Sequence, residues 1–286
     1  MDKVICFYRE PFFTYWGLIG IGLAASAVCC TLLCLRFRFG LRGWLRMMLA
    51  AALALAAGGV MTKLFGMASR ALYLRSVGES VTLAGLIENR TYVFYGGLIG
   101  WLGALALLLP RLLPQRRRLG WDVMASCTPL FHALARLGCY CATKVENGYV
   151  YWHPCCYGRK MDNAFCARFW DGRLPTQLIE SAFEFLLFAV MLALLLRGGK
   201  KWRGRLPTLY LVAYPVFRYV IEFFRDDAAR GAVGPFSFSQ LISLLILLGV
   251  WVVALLRHKG VLKTPPDDPE IVPACAGPGE MPEKRQ

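Results

Sequence analysis

Long apolar runs closed by basic or turn-forming residues dominate the chain, and seven of them are long enough to cross a bilayer as helices, which takes about 20 residues each. They fall at Phe12–Leu35, Trp44–Met61, Tyr92–Leu109, Trp121–Cys141, Leu178–Leu196, Leu206–Phe224 and Ser237–Leu256. The pattern predicts an all-α, polytopic membrane protein of about seven transmembrane helices. Asp122, His132 and Arg136 make the fourth run the least hydrophobic, so by itself it fits an interfacial or re-entrant helix as well as a span. The fifth carries Glu180 and Glu184 in its first two turns. No internal repeat or second domain is visible. We expect one transmembrane domain over residues 1–263, with an external cysteine-containing loop at about 142–177. The tail at 264–286, rich in Pro, Asp and Glu, reads as disordered and cytoplasmic.

Composition strengthens the membrane reading: 57% hydrophobic and 18% charged residues are too apolar a mix for a soluble chain of 286 residues. Orientation follows from Lys and Arg in the connections. Arg36, Arg38, Arg42 and Arg46 lie in the first connection, Arg111, Arg116, Arg117 and Arg118 in the third, and Arg197, Lys200, Lys201, Arg203 and Arg205 in the fifth, all without an acid. The intervening connections are mixed: Arg70, Arg75 and Arg90 face Glu79 and Glu88, and Arg225 and Arg230 face Asp226 and Asp227. The N-terminus is therefore expected outside and the C-terminus in the cytoplasm. The net charge of +15 is mostly a topology signal, with attraction to anionic lipid headgroups added. Nucleic acid is excluded as a partner, because the basic clusters are short and flank spans. The first ten residues lack the features of a removable signal peptide, so the first span is expected to stay in the mature protein.

Chemistry enters where charge interrupts apolar runs. Arg218 and Glu222 stand four apart in the sixth run, where an ionised group near the bilayer centre costs about 3 kcal/mol or more and so faces protein or a wet cavity. Helical spacing puts both on one face with Tyr214, and with Arg225 about one turn later. A purely structural Arg–Glu pair that locks helix packing explains this helix equally well when it is read alone. His132 and Arg136 repeat the spacing in the fourth run, although a lone histidine is more often a bonded core group. Tyr95-Gly96-Gly97-Leu98-Ile99-Gly100 opens the third run with glycines that permit close approach of a helix, a lipid or a substrate backbone. All three clusters are expected at a similar depth near the outer face.

In order along the chain, Tyr95–Gly100, Arg136-Leu137-Gly138, Leu174-Pro175-Thr176-Gln177-Leu178-Ile179-Glu180, Tyr214-x-x-x-Arg218-x-x-x-Glu222-x-x-Arg225 and Ser239-Gln240 resemble landmarks of bacterial prolipoprotein diacylglyceryl transferases, from about Tyr92 to Gly249. The resemblance implies seven spans in the inner membrane with the N-terminus outside. It implies transfer of a diacylglyceryl group from phosphatidylglycerol to the cysteine thiol of a preprolipoprotein signal peptide, forming a thioether, releasing glycerol phosphate and needing no cofactor. The implied partners are phosphatidylglycerol, such signal peptides and membrane lipid. Arginines suit a phosphate leaving group, and a thiol of pKa about 8.5 needs a base. Under the resemblance Arg136 and Arg218 hold the phosphate, Glu222 orients Arg218, Arg225 guides the headgroup, and Gly96, Gly97, Tyr214, Gln177 and Gln240 contact lipid.

Departures from the family pattern fall in the same region. Tyr95 stands where typical members have the histidine of His-Gly-Gly, a proposed base, and His132 or Tyr95 is expected to take that part. The signature Arg-x-Gly-Asn-Phe-x-Asn-x-Glu becomes Arg136-Leu137-Gly138-Cys139-Tyr140-Cys141-Ala142-Thr143-Lys144, without its asparagines or acid in register. Glu146 substitutes for that acid only after a shift, and an early Tyr-Gly-Leu survives loosely as Tyr15-Trp16-Gly17-Leu18. A divergent branch with Arg-x-Gly-Cys-Phe followed by Gly-Cys-Cys-Tyr-Gly fits better, with Ala142–Pro154 inserted before Cys155-Cys156-Tyr157-Gly158. Cys139, Cys141, Cys155, Cys156 and Cys166 read as disulfides or free thiols ahead of a zinc site completed by His153, and Cys29, Cys30 and Cys34 as packing residues. Two other classes stay open: a non-catalytic lipid-binding or transport-like protein on the same fold, and a thiol- or metal-handling membrane protein.

Overall fold

The structure, a computed structural model, describes residues 15–88, 93–141, 144–146, 149–151, 157–169, 172–226, 232–233 and 236–262. Its helices are α1 (Tyr15–Arg36), α2 (Gly40–Ser76), the short α3 (Leu83–Glu88), α4 (Phe94–Leu112), α5 (Arg117–Tyr140), α6 (Thr176–Arg197), α7 (Leu206–Glu222) and α8 (Phe238–His258). Every apolar run has its long helix. Five of the helices, α1, α2, α4, α6 and α8, are long and apolar enough to cross a membrane. The other two long ones, α5 and the 17-residue α7, carry the charged side chains that interrupt their runs.

Two expectations need correction. The run expected to stop at Met61 continues as α2 to Ser76, so Arg70 and Arg75 lie on a helix and not in a connection. Nothing in that segment breaks a helix, since Gly66 is its one glycine and it has no proline. The all-α expectation holds for the bundle, but the connections after α5 and α7 add two antiparallel ribbons. These are β1 (Lys144–Glu146) with β2 (Tyr149–Tyr151), inside the inserted segment, and β3 (Ala232–Val233) with β4 (Phe236–Ser237). Cys155, Cys156, His153 and the tail at 264–286 lie outside the described residues.

α2 packs along α4, α1 and α6 along α5, and α8 along α7. The three acid-free basic connections gather at one end of this bundle. Arg116 donates to the Phe37 and Arg38 carbonyls at 2.9 and 2.7 Å, closing the end of α1. Asp122, fully buried on α5, accepts from the backbone N–H groups of Gly204 and Leu206 at 2.5 and 3.2 Å, so an acid from one helix closes the N-terminus of another. Dry packing of Met47, Ala50, Ala54, Leu105, Leu109 and Val123 fills that end. Large apolar side chains such as Leu35, Val60, Leu107, Leu186 and Trp251 point outward and are more than half exposed, as a lipid-facing surface requires.

At the other end the mixed connections meet. Arg159 N–H donates to the Phe224 carbonyl at 2.8 Å, Asp226 N–H to the Tyr157 carbonyl at 2.9 Å, and Gly158 pairs with Arg225 across an antiparallel bridge. A Cβ on Gly158 would strike the Leu174 backbone, so only glycine lets the two segments lie this close. This end of α6 and α7 is thereby roofed by the connections that carry Tyr157, Leu174 and Arg225.

Candidate functional site

Two helices, α5 and α6, face each other in opposite directions, so their i,i+4 pairs meet as two rungs. Arg136 contacts Glu180 through Nε, and one turn deeper His132 Nδ1 lies 2.8 Å from Glu184 Oε1. Both acids are fully buried. The upper rung is the centre of a larger cluster. Arg218 on α7 reaches Glu180 Oε1 at 2.6 Å, and Arg225 reaches the same oxygen at 3.0 Å. The second nitrogen of Arg218 lies 2.7 Å from Glu222 Oε2 and donates to Ser239 Oγ at 3.3 Å. Three guanidinium groups therefore converge on one carboxylate, with Glu222 as the second acid. Burial raises the strength of each contact and the cost of leaving any member alone.

From Ser239 the polar chain continues into α8 and α4. Ser243 Oγ donates to the Ser239 carbonyl at 2.8 Å and lies 2.5 Å from Tyr95 Oη. Since the single hydroxyl hydrogen of Ser243 is committed, Tyr95 is the donor to Ser243. Tyr214, also fully buried, sets its ring beside Tyr95, Phe94, His132 and Tyr210. His132 stacks on Phe94 with centroids 3.7 Å apart and planes 3° apart. Its Nε2, like Glu184 Oε2 and Tyr210 Oη, is buried without a hydrogen-bond partner among the described residues.

The sequence-predicted residues thus separate into groups. Arg136, Arg218, Glu222 and Arg225 form one cluster, His132 joins it from below, and Tyr95 and Tyr214 border it. Arg225 is not on the face of α7, as the spacing suggested. The helix ends at Glu222 and a turn brings Arg225 back, its guanidinium 5.4 Å from the Tyr157 ring centroid. Gln177 Oε1 accepts from Tyr157 N–H at 3.2 Å, tying the connection before α6 to that helix. Gln240 forms the capping box of α8 with Ser237. Gly96 and Gly97 lie against α2, where added methyl groups would strike the Met61 carbonyl and the Thr62 hydroxyl. Gly97 also lines an apolar cavity of about 390 Å³ shared with Phe94, Leu98, Thr128 and Phe131. Cys139, Cys141 and Cys166 are free thiols.

Glu180, Glu184, Ser239 and Ser243 were not among the site residues expected from the sequence, yet they connect the others. The signal was present for the acids: two glutamates four apart in an apolar run need partners as surely as Arg218 does. Glu180 also closes the Leu174–Glu180 motif. Ser239 stood in the Ser239-Gln240 landmark, whereas Ser243 gave no such signal, because hydroxyls are common in membrane helices.

A family model described as prolipoprotein diacylglyceryl transferase matches residues 15–255. The protein named phosphatidylglycerol–prolipoprotein diacylglyceryl transferase 2 of Clostridium perfringens is 31% identical over 251 residues, 83% of this chain and 88% of that protein. The phosphatidylglycerol–prolipoprotein diacylglyceryl transferase of Clostridium tetani is 30% identical over 183 residues, 59% of this chain and 65% of its own length. Its namesake from Geobacter sulfurreducens is 31% identical over 182 residues, 59% and 62% of the two chains.

Proposed function

The chain belongs to the prolipoprotein diacylglyceryl transferase family, transferases of lipoprotein biosynthesis, and from that premise we propose how its own residues carry out the transfer. The observation that carries the reading is the convergence of Arg136, Arg218 and Arg225 on Glu180 at the outer end of the bundle. Three guanidinium groups against Glu180 and Glu222 leave one positive charge within the cluster itself, which attracts a phosphodiester monoanion such as phosphatidylglycerol.

In the proposed reaction the lipid phosphate settles on these arginines, with Glu180 and Glu222 holding their planes. The acyl chains enter the apolar cavity at Gly97. The lipobox thiol of a preprolipoprotein signal peptide gives its proton to His132, and the thiolate attacks the glyceryl carbon that bears the phosphate. The carbon–sulfur bond forms as the carbon–oxygen bond breaks. The electron pair leaves on the phosphate, whose growing charge the arginines stabilise, and glycerol phosphate departs with the proton. Tyr95 is assigned a hydrogen-bonding part, as its proton is given to Ser243. Tyr214 walls the pocket, while Gln177 and Gln240 shape its mouth. The decisive assay is transfer of labelled diacylglycerol from phosphatidylglycerol to a lipobox peptide by the purified protein. Transfer is expected, and its absence with folded protein overturns the reading.

The proposal also places the chain in the bacterial inner membrane with seven spans, N-terminus outside and C-terminus in the cytoplasm. Support comes from the basic connections sharing one end of the bundle. Single-cysteine labelling at Arg42, Arg117 and Lys201 should report the cytoplasm, and labelling at Gly78, Gly158 and Ala229 the outside. Gly158 and Lys201 on one side would remove a span and overturn the topology.

A further inference from the structure

We infer that Glu184 is a positioning residue for proton transfer: it holds His132 by Nδ1 and leaves Nε2 as the site that takes the proton of the acceptor thiol. The inference rests on the transferase reading above and concerns the rung beneath the phosphate cluster. Glu184 and His132 lie 2.8 Å apart and are both buried. With Glu184 as the carboxylate, which only accepts, the ring hydrogen sits on Nδ1 and the lone pair on Nε2. The ring has no freedom to turn. Phe94 lies flat on it at 3.7 Å and Tyr214 meets it edge-on at 4.9 Å.

Nε2 is then a buried acceptor with no partner among the described residues, a costly condition unless something comes to fill it. The surroundings indicate where that comes from. Phe94, whose ring covers the face of His132, lines the apolar cavity with Thr128 and Phe131, so the histidine lies one ring behind its wall. Tyr95 does not compete for the part, because its hydroxyl hydrogen is committed to Ser243.

Charge balance couples the two rungs. The groups facing His132 are Arg136 on its own helix, Glu180 and Glu184 on α6, Tyr210, Tyr214 and Arg218 on α7, and Tyr95 on α4. With Glu184 counted, Arg136, Arg218 and Arg225 are matched by Glu180, Glu184 and Glu222. A bound phosphodiester adds one negative charge to this neutral set, which favours uptake of one proton nearby. The thiol supplies that proton and Nε2 receives it, so phosphate binding and thiol activation proceed together.

A pair of acceptor peptides tests this, one with the lipobox cysteine and one with selenocysteine in its place. A selenol is a stronger acid than a thiol and is ionised at neutral pH, so it reacts without a base. With the cysteine peptide, Glu184→Gln should lower kcat about 10- to 100-fold with KM nearly unchanged, within the range that general bases contribute. With the selenocysteine peptide the same variant should run within a few-fold of wild type, and His132→Gln should behave alike. Glu184→Asp, which keeps the carboxylate, should recover part of the cysteine-peptide rate and serves if the Gln variant does not fold. Equal losses on both peptides would mean that Glu184 acts only in packing and would overturn the inference, as would an unchanged cysteine-peptide rate. Wild-type protein that transfers to neither peptide would instead overturn the transferase reading itself.

Discussion

Each end of the helix bundle buries a carboxylate with no exposure, and the two are used in opposite ways. At the end that gathers the basic connections, Asp122 is met by two backbone N–H groups of the α7 N-terminus amid apolar packing. The peptide dipoles there suit one negative charge and leave nothing over for a ligand. At the opposite end Glu180 is met by three arginine side chains from α5, α7 and the segment after α7. Backbone partners fix a helix end, whereas side-chain partners in excess make a site that can exchange a carboxylate contact for a phosphate. A buried acid is therefore not diagnostic of chemistry; the kind of partner is.

The comparison is broken most forcefully at the arginine end. Arg218→Ala should abolish transfer, by at least about 100- to 1,000-fold in kcat, while membrane insertion persists, and Arg218→Lys should rescue poorly because an ammonium lacks the paired donors. Near-normal turnover of Arg218→Ala at equal protein level would remove the arginine cluster from catalysis. Glu180→Gln should follow with about a 100-fold loss. It should also destabilise the protein by about 3–5 kcal/mol, since three guanidinium groups lose their common counter-ion. If thermal unfolding shifts but turnover per folded molecule stays, Glu180 is an anchor of packing like Asp122.

Gly96→Ala sharpens the comparison between these extremes. Its methyl must push α4 from α2 at the Met61 carbonyl and the Phe65 ring, costing about 1–3 kcal/mol, and it should lower turnover by shifting the neighbouring Tyr95. Asp122→Ala is the smallest effect. It removes the cap of α7, so the unfolding midpoint should fall by an amount equivalent to about 1–2 kcal/mol, with turnover per folded molecule unchanged. A specific loss of turnover there would dissolve the distinction between the two ends.

The seven long helices were legible in the sequence because lipid imposes a one-dimensional requirement: a run of apolar residues of the right length must close its own hydrogen bonds as a helix. The basic connections were legible for a similar reason, and Arg136, Arg218 and Glu222 announced themselves by their cost in an apolar run. Those constraints act on each segment by itself. Which groups meet is a property of pairs of segments. The antiparallel rungs of α5 and α6, the return of Arg225 after α7 has ended, and the serine path from Arg218 to Tyr95 depend on helix rotation and register. Packing of all the helices together decides these. The same holds for the overextended α2, whose outer part has helix-forming residues without a continuous apolar run. The sequence alone determined that charges in the apolar runs had to be buried; only the tertiary structure decided that Glu180 is the partner they share and that His132 answers to Glu184.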